Sequence, residues 1–538
     1  MKSLISGSTL VKKQLLWLIV LSTITRALLA LILDLGSNEA YYWTYGSFPD
    51  ISHIDHPPMI GWFIQLFTVN MAFEGEFFLR LAAIVTGSLN TWIIFVIGRR
   101  LRNERTGLYA ALLYTASLYC SLFVGTFINP DTPQSLFILL SIYFLNEGLI
   151  IKHESCEETK TLCRLALILA GIFTGLAMLS KYSSVFIWAG VFVYILSSNR
   201  RILKEPYLYI SVLISFLFLL PVYLWNIDNN FISFAFQSSR LPNLSSSPDF
   251  LSFAKAIGLI FLYNNPLSIA IMLFAVIAYK KEKFLKTSQY RLLISLSLPI
   301  LIFFIAVALF TESKANWSAP GFFPLMFIGA AYLDNRSIKD YSGMTLIPPP
   351  ISNAISLTLF TALLIFIHHF SGIFSPEIIK EKQYELGKND ITLEYFGWRT
   401  LSKEFSKLFA EDVINGEISE NCFILSSNWA QASHMDFYLA APSGIVVKTI
   451  GKLEETRKYA WITGKLGTFR YGENAYFIES SRDFPQAEEY GKRYFTNHKK
   501  AHSVYIKKIG KPVLRFDIYI MKNLKRIPER ELSSYTKY

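Results

Sequence analysis

Long apolar segments recur through the first two thirds of this chain, and they constrain its fold more than any other feature. Each is close to the roughly 20 residues that an α-helix needs to cross a bilayer. In lipid every backbone N–H and C=O must find a partner within the protein, which favours helices. The sequence therefore predicts a polytopic α-helical membrane protein with about eleven spans, at residues 14–34, 77–98, 107–126, 132–150, 165–180, 182–198, 206–226, 257–279, 292–310, 318–333 and 351–369.

Positive charges are distributed unequally among the loops that join these segments. If the N-terminus is cytoplasmic, the inner loops carry 20 Lys and Arg residues and the outer loops carry 5. Cytoplasmic loops of membrane proteins are enriched in Lys and Arg. This distribution predicts that residues 36–61 and the C-terminus lie on the extracytoplasmic side.

The composition changes near residue 371. Helical runs and short β-rich runs follow, the latter at Cys422–Leu425, Gly444–Ile450, Thr468–Tyr471, Ala475–Ile478, Ser503–Ile509 and Val513–Ile520. The sequence therefore predicts a transmembrane domain at residues 1–370 and a soluble extracytoplasmic α/β domain at residues 371–538.

The net charge of +12 does not indicate nucleic-acid binding. Many of the cations lie in short loops between apolar segments, and no basic stripe is interleaved with exposed aromatic residues. The four cysteines are too scattered for a metal site or a disulfide framework.

The stretch from Gly36 to Gly61 combines acids, histidines and a Pro-Pro pair with a dense Tyr and Trp cluster, directly after the first predicted span. Polar aromatic residues favour the membrane–water interface, and acids placed there are costly unless they are solvated or functional. Glu39 and Asp55 are therefore candidate catalytic carboxylates, and the loop is the predicted reactive face of the protein.

Asp55 and His56 precede Pro57 and Pro58, which stiffen the backbone. An acid beside an imidazole can bind a metal, hold a phosphate or act as an acid–base pair. The same pattern also fits a loop that leads into a helix with Pro at its start.

Several other ionisable residues lie where topology alone would not place them. Asp131 occupies a polar, helix-breaking loop, where it is either a catalytic acid or a turn residue. Arg26 lies within the first span, Lys181 at the outer end of another, and Lys314 in an outer loop. Converging cations suit a lipid phosphate, whereas snorkelling or a structural ion pair is the alternative.

An outer segment at residues 225–240 is rich in aromatic and amide side chains, including Asn226, and ends at Arg240. Rings stack on sugar faces and amides hydrogen-bond to hydroxyls, so the segment is a candidate carbohydrate contact. Ordinary interfacial residues would have a similar composition.

Five motifs occur in order along the chain: GSNEAYYW at 36–43, DHPPM at 55–59, PDTP at 130–133, GLAMLSKY at 175–182 and ANWSAP at 315–320. Together they resemble the bacterial glycosyltransferase family 39/83 group, which includes the aminoarabinose transferases of lipid A and relatives of protein O-mannosyltransferases. The resemblance covers roughly residues 14–340.

This resemblance implies a GT-C fold, a polyprenyl-phosphate sugar donor and a location in the bacterial cytoplasmic (inner) membrane. By position, Glu39 matches the Glu of an Asp-Glu pair, Asp131 a second acid and Asp55 a metal-side acid. His56 and Lys181 match cations that bind the donor phosphate. Accessory contacts to sugar or acceptor are predicted for Asn38, Tyr41, Tyr42, Asn226, Arg240, Lys314, Asn316 and Trp317.

One departure from the family pattern concerns the base. The family has Asp where this chain has Asn38, and an amide cannot accept a proton as a carboxylate does. Either Glu39 or Asp55 takes the base role, or the chemistry is altered or lost.

The predicted function is transfer of a sugar from a polyprenyl phosphate to a lipid-linked or envelope glycan acceptor of the lipid A or lipopolysaccharide type, with a divalent metal as an optional cofactor. The alternatives are a lipid-sugar transporter or flippase, and a pseudoenzyme that binds the donor without turnover. A transporter would favour internally repeated halves, which the sequence does not display. The pseudoenzyme remains an alternative because Asn38 replaces the acid of the family pattern.

Overall fold

The computed structural model describes residues 2–150, 157–242, 247–338, 347–373 and 386–528 of the 538-residue chain. Lys152 and Lys339, two of the predicted inner-loop cations, and Cys156 lie outside these ranges. The chain divides into a first unit (Met1–Leu31, Asp50–Ile227 and Ser233–Phe360) and a second unit (Ile32–Pro49, Asp228–Ile232 and Thr361–Tyr538).

Helices make up nearly all regular structure in the first 371 residues. They are α1 Lys2–Ile32, α2 Ser37–Ser47, α3 Met59–Phe67, α4 Glu76–Leu101, α5 Glu104–Thr115, α6 Asp131–Leu149, α7 Glu157–Ser180, α8 Phe186–Ser198, α9 Pro206–Leu217, α10 Leu220–Asp228, α11 Ile232–Ser238, α12 Phe250–Asn264, α13 Pro266–Ala278, α14 Thr287–Ala308, α15 Phe322–Ile338 and α16 Pro349–Ser371. A π-helix at Tyr119–Val124 follows α5, and 3-10 turns lie at Tyr182–Val185, Arg200–Lys204, Ala315–Trp317 and Ala319–Gly321.

Helices and strands alternate in the C-terminal part. They are a 3-10 turn at Ile391–Tyr395, α17 Trp398–Ile414, β1 Phe423–Ser426, α18 Trp429–Met435, a π-helix at Asp436–Ala440, α19 Ala441–Ser443, β2 Val446–Thr449, α20 Leu453–Thr456, α21 Tyr459–Lys465, β3 Ala475–Ser480, α22 Ala487–Tyr494, β4 Phe495–Lys508 and β5 Lys511–Leu524.

Within the described residues, six helices are long and apolar enough to cross a membrane: Thr9–Ile32, Glu76–Leu101, Glu157–Ser180, Pro206–Asp228, Thr287–Ala308 and Pro349–Ser371. The bent pair α12–α13 is a seventh candidate, and Tyr182–Ser198 is a shorter apolar helix. The predicted spans at 107–126, 132–150 and 318–333 coincide with α5, α6 and α15, which are short or carry many buried polar residues. The chain is a multi-pass membrane protein, but a count of eleven spans is not confirmed.

The predicted span at 257–279 is not one straight helix. Its two halves meet at an angle of 92°. Asn265, at the break, has a φ of +66°, and Pro266 follows it. The Asn265 side chain stabilises the break, because its Oδ1 accepts the N–H of Leu267 at 3.0 Å and its Nδ2 donates to the Ala354 carbonyl at 2.7 Å.

Close helix packing in the first unit depends on small residues. Along the contact between α7 and α9, Ser211 Oγ donates to the Leu167 carbonyl at 2.6 Å, and Ser215 Oγ donates to the Gly171 carbonyl at 2.7 Å. A Cβ on Gly171 would collide with the Ser211 carbonyl oxygen and would lie 2.8 Å from the Ser211 Cα. Small and hydroxyl-bearing residues commonly allow membrane helices to approach in this way.

A mixed β-sheet organises the second unit. Among the described residues it has five strands in the order β2-β1-β3-β5-β4, with β1 parallel to β2 and β3, and β5 antiparallel to β3 and β4. Every residue of β1 is buried, which fits a central position in the sheet. Strands coincide with the predicted β-rich runs except Thr468–Tyr471, which lies in a loop instead.

The second unit also includes residues 32–49. The predicted domain boundary at residue 370 places these residues in the transmembrane domain. These residues hydrogen-bond to the C-terminal segment. For example, the N–H of Leu35 donates to Tyr438 Oη at 2.6 Å. The first part of the predicted reactive loop, α2, therefore belongs to the second unit, whereas Asp55 and His56 belong to the first.

A buried acid lies in the π-helix that follows α18. Asp436 is largely shielded from solvent, and Tyr459 Oη donates to its Oδ2 at 3.0 Å. Burial raises the pKa of Asp436 to about 7, because desolvation of the charged form outweighs the opposing effect of the Tyr459 hydrogen bond.

The α7–α9 contact gives a stability prediction. Gly171→Ala should lower the apparent melting temperature of the detergent-solubilised protein, because overpacking of this kind costs roughly 1–3 kcal/mol. The matched control is Gly258→Ala, since Gly258 also lies inside a helix but a Cβ there has no neighbour within 4 Å. An equal effect of the two changes would contradict the close approach of α7 and α9.

Asp436 gives a pH prediction. Because its folded-state pKa lies above its unfolded value of 3.8, the folded protein holds the proton more tightly, and this contribution to stability falls as pH rises towards 7. Asp436→Asn removes the free-energy cost of ionising a buried carboxyl group, because an amide does not ionise. The melting temperature of the variant relative to the parent should therefore be higher at pH 8 than at pH 5, by a few degrees. A difference that does not vary with pH would contradict the raised pKa.

Candidate active site

Asp131 begins α6, directly after a loop that its neighbour Asn129 holds in shape. The Asp131 N–H donates to Asn129 Oδ1 at 2.9 Å, and Asn129 Nδ2 donates to the Phe127 carbonyl at 3.0 Å. Asn129 thus makes the local bonds expected of a turn residue. Since these bonds use its backbone, the Asp131 side chain is left to make contacts elsewhere, and it is 2% exposed.

The Asp131 carboxylate is surrounded by donors from three distant segments. Lys181 Nζ lies 3.0 Å from Oδ1 and 2.9 Å from Oδ2. Tyr119 Oη donates to Oδ1 at 2.9 Å, and Asn316 Nδ2 donates to Oδ2 at 3.2 Å. The structure therefore brings together three residues that the sequence analysis singled out separately, Asp131, Lys181 and Asn316.

This geometry indicates what Asp131 can do. A carboxylate offers about four lone-pair sites, and these hydrogen bonds occupy four. Accepting a proton from a substrate hydroxyl would require Asp131 to give up one of them. An ammonium group has three donors, and only two of those on Lys181 point at Asp131. Asp131 thus holds Lys181, and within the described residues the Lys181 ammonium group hydrogen-bonds to Asp131 alone.

Lys181 reaches this position because α7 ends just before it. Ser180 is the last helical residue, Lys181 has an extended backbone conformation, and a 3-10 turn begins at Tyr182. Gln134 Nε2, one turn along α6 from Asp131, donates to Ser183 Oγ at 3.0 Å and to Ser184 Oγ at 2.9 Å. The turn after Lys181 is therefore fastened to the same helix that carries Asp131.

Tyr119 and Gln134 contribute to this cluster but were missed in the sequence analysis. Tyr119 lies in the predicted span at 107–126, where a tyrosine is an ordinary interfacial or core residue. It belongs to a π-helix, and such irregular turns often occur at functional sites. Neither its residue type nor its spacing in the sequence predicts this role, because its partner Asp131 lies on a different helix, after an intervening loop.

Asp55 and His56 lie in the first unit, in the loop before α3. Asp55 is 1% exposed, and its carbonyl accepts a hydrogen bond from Gln237 Nε2. Pro58 directly precedes α3, so the loop-to-helix interpretation is correct, and it is compatible with a functional role for both side chains. His56 remains partly exposed.

The predicted metal at Asp55 is not confirmed. Among the residues that the structure describes, no group of three or more His, Cys, Asp or Glu side chains is placed to hold a metal ion. The side chains around Asp55 in that part of the chain therefore do not form a metal centre by themselves.

Arg26 is buried in the first unit and is 2% exposed. Its three guanidinium nitrogens make no hydrogen bond within the described ranges. Gly125 gives it room, since a Cβ there would lie 2.8 Å from Arg26 Nε. Neither snorkelling nor an ion pair among the described residues accounts for Arg26.

Asn38, Glu39, Tyr41 and Tyr42 all lie on α2, in the second unit. Glu39 is 3% exposed, and its Oε2 accepts the N–H of Gly36 at 3.1 Å. This carboxylate therefore caps its own helix. Asn38 is partly exposed, whereas Tyr41 and Tyr42 are buried.

The remaining predicted accessory residues, Asn226, Arg240, Lys314 and Trp317, lie in the first unit. Asn226 is buried, and its Oδ1 accepts a hydrogen bond from Ser233 Oγ at 2.8 Å. The Arg240 guanidinium stacks on the Phe236 ring at 4.3 Å. Lys314 is exposed, and Trp317 packs 5.7 Å from the Phe304 ring.

Comparison with known proteins bears on this arrangement. The family described as dolichyl-phosphate-mannose-protein mannosyltransferase matches residues 55–225. Among curated proteins, the lipid A galacturonosyltransferase RgtD of Rhizobium johnstonii is 23% identical over 297 residues, which are 54% of this chain and 58% of the relative. The match thus spans less than two thirds of that relative's length.

Solved structures show the same fold. ArnT from Cupriavidus metallidurans bound to undecaprenyl phosphate aligns with a TM-score of 0.62 at 12% identity, covering 94% of this chain and 97% of that one. Its apo state aligns with a TM-score of 0.60 at the same identity and coverage. The fold implied by the five motifs is confirmed: the chain has the GT-C fold of these structures.

Proposed function

We propose that this protein transfers a sugar from a polyprenyl phosphate to a lipid-linked or envelope glycan acceptor at the outer face of the bacterial cytoplasmic membrane. Two relatives support this choice. RgtD is by name a lipid A galacturonosyltransferase, and the ArnT structure holds undecaprenyl phosphate. A lipid A-type acceptor and a polyprenyl-phosphate donor are therefore the substrates to test first.

The observation that carries the proposal is the buried pair of Asp131 and Lys181. Two charges out of water are costly unless they are paired and hydrogen-bonded. Tyr119 and Asn316 complete the carboxylate's hydrogen bonds, so the pair is held rigidly. A fixed cation with one donor to spare suits the anionic phosphate that leaves during sugar transfer.

The transfer itself requires a leaving group and a base. The acceptor hydroxyl oxygen forms a bond to the anomeric carbon of the sugar, and the bond from that carbon to the phosphate oxygen breaks. Lys181 stabilises the charge on the departing phosphate, with His56 as a second cation. The hydroxyl proton passes to a carboxylate, for which Asp55 and Glu39 are the candidates.

Asp131 has a different role from the base. Its four acceptor sites are filled by Lys181, Tyr119 and Asn316. In this scheme it orients the Lys181 ammonium towards the phosphate. Asn38, at the position of the family's Asp, can orient the acceptor through hydrogen bonds but cannot take its proton.

The C-terminal α/β part is proposed to be extracytoplasmic, on the same side as α2. This placement follows from the excess of cations in the predicted inner loops. The protein would thus be a multi-pass protein of the inner membrane with its reactive residues on the outer side.

The role of Lys181 can be tested in cells that lack the gene. Deletion should remove one sugar mass from the envelope glycolipids, as measured by mass spectrometry, and the parent gene should restore it. Lys181→Met should reduce restoration by about 10²- to 10³-fold, the usual cost of removing one preorganised donor to a developing charge. The control is Lys255→Met, which changes an exposed lysine on α12.

Variant levels in the membrane are matched by immunoblot. Adding Asp131→Asn to Lys181→Met should cause little further loss, because residues that act as a unit are not additive. Full restoration by Lys181→Met would contradict the phosphate-binding role. A glycolipid profile unchanged by gene deletion would contradict the enzyme itself and favour a donor-binding pseudoenzyme.

The carboxylates form a second test. Glu39→Gln, Asp55→Asn and Asp131→Asn should each cut transfer sharply while membrane insertion is retained, because each removes a charge but keeps the size of the side chain. The same glycolipid measurement reports the outcome. Full activity in all three variants would overturn the proposed assignment of the site.

A further inference from the structure

Helix α2, which carries Asn38 and Glu39, is too short to be stable alone. It has eleven residues and no basic residue in its last turn. Isolated helices shorter than about 12–15 residues are marginal in water. Each helix end also leaves backbone groups without intrahelical partners, so the stability of α2 depends on what meets its two ends.

The N-terminal end of α2 is capped from the C-terminal part of the chain. Glu394 Oε1 accepts the N–H of Ser37 at 3.0 Å, while Glu39 itself accepts the N–H of Gly36. Tyr395 packs on Gly36 so closely that a Cβ there would lie 2.6 Å from the ring. An anion at a helix N-terminus complements the helix dipole, and Glu394 supplies one from outside the helix.

The opposite end of α2 meets a lysine. Lys458 Nζ donates to the Thr44 carbonyl at 2.7 Å and to the Phe48 carbonyl at 2.6 Å. It also lies 4.4 Å from the Tyr45 ring, and the residue is 6% exposed. A cation beside the last carbonyls again complements the dipole. The C-terminal part thus provides the charge that the last turn of α2 lacks.

The segment that leads into α2 is held by the same part of the chain. The Asp34 carboxylate accepts the Trp398 N–H at 2.8 Å, and Arg399 Nε lies 3.2 Å from its other oxygen. His434 Nε2 lies 2.9 Å from the Leu35 carbonyl. Burial lowers the pKa of His434 to about 4, so the ring is neutral near pH 7 and Nε2 carries the hydrogen that the carbonyl accepts.

We propose that Glu394 and Lys458 are positioning residues for sugar transfer. By capping the two ends of α2, they fix the direction in which Asn38 and Glu39 face the acceptor. The C-terminal α/β part then fixes the position and orientation of α2. This inference rests on the proposed transferase function, because a positioning role for α2 has meaning only if α2 takes part in sugar transfer.

The test compares Lys458→Met and Glu394→Gln with matched controls in the full-length protein. The controls are Lys452→Met and Glu454→Gln, which alter exposed residues near Lys458. Lys458→Arg keeps the cation and serves as the conservative variant. Each protein is measured for glycolipid restoration in cells, for affinity towards undecaprenyl phosphate in nanodiscs, and for hydrogen exchange of the peptide covering residues 37–47.

We expect Lys458→Met to raise hydrogen exchange in α2 and to lower the rate of transfer by about 10²-fold, the scale of loss from small misplacements. Glu394→Gln should act in the same direction. Affinity for undecaprenyl phosphate should stay within twofold of the parent, and Lys458→Arg should recover part of the rate. A loss of general stability would instead raise exchange throughout the protein and weaken lipid binding.

Three outcomes would overturn the proposal. Unchanged exchange in α2 would show that Lys458 does not hold the helix, whether or not the protein is a transferase. Raised exchange with a normal rate would show that holding α2 does not serve transfer. If gene deletion changes no glycolipid, the transferase function fails and the positioning role falls with it, while the exchange measurement still decides whether the caps are real.

Discussion

The buried ion pair between Asp131 and Lys181 is the interaction on which the candidate site depends. Two charges removed from water would destabilise the first unit if either lost its partner. Tyr119 and Asn316 complete the hydrogen bonds of the carboxylate, and Gln134 fastens the turn after Lys181 to α6. The pair therefore fixes the relative positions of α6, the end of α7 and the 3-10 turn at Ala315–Trp317.

A second constraint is the need to satisfy helix ends at the reactive loop. Helix α2 is short, and its end groups find partners in Glu394 and Lys458 rather than in its own sequence. Asp34 and His434 fix the residues that precede it. The motif that first suggests an active site is thus held by contacts within the second unit, and these contacts are the basis of the positioning role proposed for the C-terminal α/β part.

The hydrogen bonds of the remaining carboxylates bear on the replacement of the family's Asp by Asn38. Glu39 uses one carboxylate oxygen to cap α2, and Asp131 uses all its acceptor sites to hold Lys181. Asp55 is buried in the first unit, and its backbone carbonyl accepts a hydrogen bond from Gln237. The carboxylates of this chain therefore differ in the hydrogen bonds that they make, and the proposed division between holding Lys181 and accepting a proton rests on those bonds.

The membrane class, most of the long helices, most of the strands of the C-terminal part and the GT-C resemblance could be predicted from the amino-acid sequence. Apolar length, alternation and short motifs express interactions between near neighbours, so they can be read along the chain. Three contacts could not be predicted in this way: Lys181 pairs with Asp131, 50 residues away, Tyr119 joins that pair, and Lys458 caps a helix by bonding to Thr44, 414 residues before it. The bend at Asn265, which divides the predicted span at 257–279 into two helices, was likewise not predicted. These contacts depend on how helices pack and end, and a linear pattern carries no record of which distant donor meets which acceptor.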